Sequence, residues 1–340
     1  MRYRKNDKLL KTFGQTFSES SQWYSYQHAL IESIKNQIHA KFSKQSNLLV
    51  NMTWFGPQFG NNNEYAKFRE FTEYYNIDNI FLLASEDPCF FNKEETKDLI
   101  KESRASNSFL LGHFDTDYNF NFHSTVIGDL FPNYSNEDLF FKNSDYIFLN
   151  YNRKPRDHRT KFVSMLDSCN LSQCGIVTLG NDRNLNESIE EYKDGNWGMS
   201  NEFGIPHDIS SLGRFNYWQN HFLTIVSETD FEDHLWTFIT EKTWKPIIGL
   251  RPFVINGQLA VYQYLRKHGF KTFNHYWPHI DIENCNIDDI HKNICDLIVW
   301  LQTQDLKQIY LDMLPDLLYN KQRFNEFALE QKHKMENLFV

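Results

Sequence analysis

The sequence predicts an α/β fold made of two units, each built on a parallel sheet. Three observations predict it. Apolar runs of strand length alternate with segments of helical period. The 340 residues suit about two domains. A hydrophobic fraction of 41% with 16% aromatic residues is enough to fill both cores.

The elements follow in order. Ala29, Leu30, Ile34 and Ile38 recur at helical spacing. Leu48–Trp54 reads as a buried strand entering a loop of turn formers, Phe55–Asn63. A helix over 64–75, a strand Ile80–Ala84, a charged helix over 93–104 and a strand Ser108–Gly112 complete a β-α-β-α-β unit of Rossmann-like type. A less regular stretch, 113–144, leads to Tyr146–Asn150, which opens the second unit. A helix from Asp157, a strand Gly175–Leu179, a long polar loop over 180–215 and a strand Phe222–Val226 come next. A helix starting at Thr240, a strand Pro252–Ile255 and a helix over 258–268 close that half. Beyond it, residues such as Ile294, Leu297, Ile298 and Leu301 mark amphipathic helices. The expected domains are therefore 1–144, 145–285 and a helical tail, 286–340, crossing back onto the first.

The net charge of −9 gives no global basic field for nucleic acid or anionic membrane. No apolar run is long enough to span a bilayer, and the charged start of the chain is not followed by a signal-peptide core. The five cysteines form no C-x-x-C pair and read as reduced thiols. Together these predict a cytoplasmic protein. Walker A, G-x-S-x-G and G-x-G-x-x-G patterns are all missing from the sequence, the last of which speaks against a nicotinamide-dependent enzyme.

The most informative stretch is Phe238-Ile239-Thr240-Glu241-Lys242, followed by Gly249 and Pro252–Gly257. A helix beginning at Thr240 has a hydroxyl N-cap and outward N–H groups, which favour an anion. Glu241 beside it can accept from a ribose diol, and Lys242 can sit on a diphosphate. Pro246 lacks an N–H and should disturb this helix.

The block Phe222–Gly257 resembles the signature of the α-1,3-fucosyltransferase family, in which an acidic segment after a strand leads to a Tyr/Phe-x-Thr-Glu-Lys step and a Pro-Val strand ending at Gly. The acidic segment here is Ser227-Glu228-Thr229, with the Glu displaced by one residue from the family's Phe-Glu-Asn-Ser. The resemblance, which covers about residues 145–275, implies a GT-B fold: two Rossmann-like domains facing across a cleft, the second holding the donor. It further implies that Glu241 holds the ribose of a guanine nucleotide and that Lys242 neutralises the diphosphate, with Thr240 and Glu228 in the same donor site. A second block agrees. Strand Tyr146–Asn150 runs into Tyr151-Asn152-Arg153-Lys154-Pro155-Arg156-Asp157-His158-Arg159. Arg159 matches the family's second diphosphate cation, and Arg153 and Arg156 stand in the same cluster. Fixed cations and a helix terminus stabilise a departing nucleoside diphosphate without a metal.

For the base, the family uses a carboxylate after an N-terminal strand, and Glu86 is the corresponding candidate here. Its competing role is to cap the turn Ser85-Glu86-Asp87-Pro88. The expected function is transfer of a sugar from a nucleoside diphosphate donor, GDP-sugar favoured, to a hydroxyl acceptor such as a glycan, with inversion and no required cofactor or metal. Three alternatives compete. Asp115 and Asp117 form an Asp-x-Asp pair of the kind that holds Mn²⁺ or Mg²⁺ in metal-dependent transferases. A modified base in DNA is a less favoured acceptor. A protein that binds the nucleotide without turnover is the third.

Overall fold

The computed structural model describes residues 11–13, 22–51, 76–84, 105–112, 118–131, 133–152, 154–180, 212–213, 215–231 and 237–339, with single helical positions at 70, 72 and 74. The protein is α/β with parallel sheets, a class compatible with Rossmann-like units. It divides into one unit of Met1–Thr125 with Leu329–Val340 and another of Val126–Ala328. The division falls within the stretch 113–144 read as irregular.

The first unit carries β1 (Lys11–Phe13), α1 (Gln22–Phe42), β2 (Asn47–Asn51), β3 (Asn79–Ala84), β4 (Asn107–Gly112) and β5 (Tyr118–Asn119). All five strands are parallel, in the order β1-β2-β3-β4-β5. Leu48, Leu49, Val50 and Ile80–Leu83 are fully buried, the continuous apolar runs of a sheet covered on both faces. At the amino edge, register partners Asn47, Asn79 and Asn107 link their side chains across three strands. Asn79 donates to Asn47 Oδ1 at 2.8 Å and Asn107 donates to Asn79 Oδ1 at 2.9 Å. Such amide pairs satisfy polar groups that burial would otherwise penalise.

The second unit starts with α2 (Phe122–Leu130) and α3 (Asn136–Leu139), helices inside the stretch expected to be irregular; α2 begins just before the boundary. Asn121 caps α2, its Oδ1 accepting from the Ser124 N–H at 2.8 Å, and Phe122, Val126 and Ile127 are fully buried. There follow β6 (Tyr146–Asn150), α4 (Asp157–Ser168), β7 (Gly175–Val177), α5 (Phe215–Asn220), β8 (His221–Ser227), α6 (Glu241–Ile248), β9 (Phe253–Asn256), α7 (Ala260–Lys267), α8 (Ile290–Leu301) and α9 (Leu306–Glu336). The sheet order is β7-β6-β8-β9, all parallel. Every residue of β8 and β9 is buried, so β8 is the core strand of this unit.

Thr240 caps α6, as its hydroxyl predicts, and Pro246 lies inside that helix. The helix ends at Gly249, where the Trp218 ring presses so close that a Cβ would lie 2.2 Å from it, and Trp218 Nε1 donates to the Gly249 carbonyl at 2.8 Å. No side chain larger than hydrogen fits there. Among the described residues no helix is long and apolar enough to cross a membrane.

Candidate functional site

The strand order of the second unit marks one place on the sheet. From the centre, β6-α4-β7 winds one way and β8-α6-β9 the other. By the right-handed rule for parallel crossovers α4 and α6 belong on opposite faces, so the winding reverses at the carboxyl ends of β6 and β8. Open α/β sheets bind ligands at such a switch point. Both helices begin at this edge, so the positive ends of their dipoles lie there.

Of the residues singled out from the sequence, Arg156, Arg159, Glu228, Thr240, Glu241 and Lys242 lie on this edge. Arg159 is buried, at 3% exposure, although it is a guanidinium in the first turn of α4. Its Nη1 donates to the Lys154 carbonyl at 3.2 Å, and its Nη2 donates to the carbonyls of Ser227 at 3.1 Å and Glu228 at 2.8 Å. The guanidinium plane is therefore fixed across the gap between β6 and β8. Arg156 Nη1 donates to the Thr229 carbonyl at 3.0 Å, on the same short segment.

On the other side, Lys242 Nζ donates to Thr240 Oγ1 at 2.8 Å and Thr229 Oγ1 at 3.3 Å, and pairs with Glu241 Oε1 at 3.1 Å. Its side chain is 27% exposed. Glu228 is fully buried between these groups. Its carboxylate accepts from the Thr229 and Thr240 N–H groups and from the Thr240 and Thr243 hydroxyls. Arg156, Arg159, Thr240 and Lys242 thus all bond to one short segment, 227–229, which contains Glu228, and Glu241 joins them through Lys242. Arg153, Glu86, Asp115 and Asp117 lie outside the described residues.

Sequence reasoning missed a polar chain beneath the site. Asn152 N–H donates to Thr178 Oγ1 at 2.8 Å, and Asn152 Nδ2 to Asn150 Oδ1 at 2.5 Å. Asn150 and Asn256 both donate to Ser227 Oγ, at 3.0 and 3.1 Å, and His291 Nε2 meets Asn256 Oδ1 at 2.9 Å. The chain crosses the carboxyl edge from the end of β7 to α8. Its one sequence signal is a polar residue closing each apolar strand: Asn150, Ser227, Asn256 and Thr178 just past β7. Thr243, the second hydroxyl on Glu228, had no signal beyond its place one turn into the helix.

Two histidines flank the site. His158 stacks on Phe231 at 5.1 Å and 19°, and Phe231 in turn lies 5.2 Å from His291. Burial, with Arg159 beside it, holds His158 down to about 4, and burial with Lys161 does the same to His291. Both rings are therefore neutral at pH 7, and His158 Nε2, 3.1 Å from the Glu228 carbonyl, carries the ring proton and donates it. In the unfolded chain each takes a proton near 6.5. Their contribution to stability is complete above that value and is lost as pH falls through about 4. The urea midpoint of the second unit should drop between pH 7 and pH 5. A His158→Gln, His291→Gln double variant should show a shallower drop, and an unchanged slope would contradict this.

No family model matches the chain, and neither a curated protein nor a solved structure matches it.

Proposed function

We propose that the second unit binds the diphosphate of a nucleotide sugar at the β6/β8 switch point and that the protein is a glycosyltransferase. One observation carries this reading: Arg156, Arg159 and Lys242 converge with the N-termini of α4 and α6 where an open α/β sheet receives ligands.

The chemistry follows from where charge develops. As the bond from the anomeric carbon to the β-phosphate oxygen breaks, its electron pair goes to the diphosphate. Preorganised cations and helix N–H groups stabilise that charge without having to reorganise. Lys242 supplies the mobile cation, Arg159 the fixed one, and Glu241 holds the ribose. GDP-sugar is the favoured donor and a glycan hydroxyl the favoured acceptor, following the resemblance to the α-1,3-fucosyltransferases. The same resemblance implies the GT-B arrangement, inversion at the anomeric carbon, and Glu86 as the base that takes the acceptor proton.

A thermal-shift titration against GDP, UDP, ADP, CMP and dTDP, with Mg²⁺ or with EDTA, tests the reading. A nucleotide that binds only the folded protein adds about 2.7 kcal/mol at a hundredfold excess over its dissociation constant. The expected result is a shift with GDP that persists in EDTA and vanishes in Lys242→Ala. No shift with any nucleotide, or one that requires metal, would sink it; the second outcome would move the chemistry to Asp115 and Asp117.

A further inference from the structure

We propose that Glu228 is a positioning residue that keeps the Arg159 and Lys242 segments in register across the switch point. This deepens the donor-site reading and rests on it. The bonds of this one residue reach three neighbouring elements, β9, α4 and α6. Its N–H donates to the Asn256 carbonyl at the end of β9. Its carbonyl accepts from Arg159 Nη2 at 2.8 Å and from His158 Nε2 at 3.1 Å, which tethers α4. Its carboxylate is bonded to α6 and the turn before it.

The carboxylate bonds are shared in a way that only two acceptor oxygens can satisfy. Oε1 takes the Thr240 N–H at 3.1 Å and the Thr243 hydroxyl at 2.6 Å. Oε2 takes the Thr229 N–H at 3.1 Å and the Thr240 hydroxyl at 2.7 Å. Each oxygen thus faces one backbone N–H, a donor that cannot reverse its role. With its proton given to Glu228, the Thr240 hydroxyl keeps its lone pairs for the Lys242 N–H and for Lys242 Nζ at 2.8 Å. Glu228 therefore aims Lys242 through Thr240, while its 3.9 Å separation from Nζ leaves the ammonium outside hydrogen-bond range.

Glu228→Gln is isosteric, yet either amide orientation sets an NH₂ against a backbone N–H. Placed at the Oε2 position, it also turns the Thr240 hydroxyl into an acceptor and releases Lys242. Thr243→Ser keeps the hydroxyl on Oε1, whereas Thr243→Val removes it.

The experiment combines calorimetric titration with GDP and UDP, well below the unfolding temperature, with hydrogen exchange of the free proteins. Glu228→Gln should bind about tenfold or more weakly at unchanged stoichiometry, and the amides of Thr229 and Thr240 should exchange faster. Thr243→Ser should behave as wild type and Thr243→Val should fall between the two. Wild-type affinity in Glu228→Gln, unchanged exchange, or a fall in stoichiometry that tracks loss of fold would each overturn the proposal. If the wild type binds neither nucleotide while the Glu228→Gln amides still exchange faster, the donor reading fails and the bracing role stands.

Discussion

Arg251→Met is expected to destabilise the second unit by about 3–5 kcal/mol. Arg251 is fully buried, and burial lowers its pKa only to about 10, so it is charged at pH 7. Its partners are chiefly carbonyls. Nε and Nη2 donate to Trp218 O at 3.1 and 2.7 Å, Nε also to His221 O at 3.0 Å, and Nη1 to Leu139 O at 2.7 Å and Leu250 O at 2.9 Å. Leu139 ends α3 and Trp218 lies in the last turn of α5, where carbonyls lack helical partners and the dipole favours a cation. Tyr310 of α9 stacks on the guanidinium at 5.5 Å. Met fills much of the volume but takes the guanidinium donors away from these buried carbonyls, of which Leu250 O keeps the Tyr310 hydroxyl at 3.2 Å. Urea unfolding followed by tryptophan fluorescence measures the loss. A change under about 1 kcal/mol would show that the carbonyls find other donors.

The second large effect is on binding. Arg159→Lys should weaken GDP binding about 100-fold even though the charge is kept. A planar fork reaches the Lys154 carbonyl from one nitrogen and the Ser227 and Glu228 carbonyls from the other. One ammonium on a flexible stem cannot span those acceptors, so its charge is no longer held in one place. Titration calorimetry on a variant with wild-type circular dichroism decides it. Affinity within about threefold of wild type would mean that charge alone matters and that the carbonyl bonds serve only the fold.

Much of the second unit was legible from local pattern. Thr240 caps α6 because a hydroxyl before a helical run meets a short-range need of the backbone, and Arg159 falls in the first turn of α4 because it follows strand β6 by few residues. The longer strands of both units were readable because sheets buried on both faces need unbroken apolar runs. Helix α2 was not, since His, Ser, Thr, Val, Ile and Gly in Phe122–Leu130 are weak helix formers and burial of its apolar side overrides them. Strands β1 and β5, three and two residues long, carry too little pattern to detect.

By itself, then, the sequence determined the α/β class and the parallel strands of both units, and it singled out the charged residues that the structure brings to the β6/β8 edge, because periodicity, capping and strand composition act over a few neighbouring residues. Tertiary structure alone decided how those residues are used. Arg251 finds Leu139 across 112 positions, and Glu228 finds Thr243 across 15, because strand order, which no local pattern encodes, brings those backbones together. The same strand order makes the gap between β6 and β8 a switch point and turns scattered Arg, Glu, Thr and Lys residues into one charged cradle.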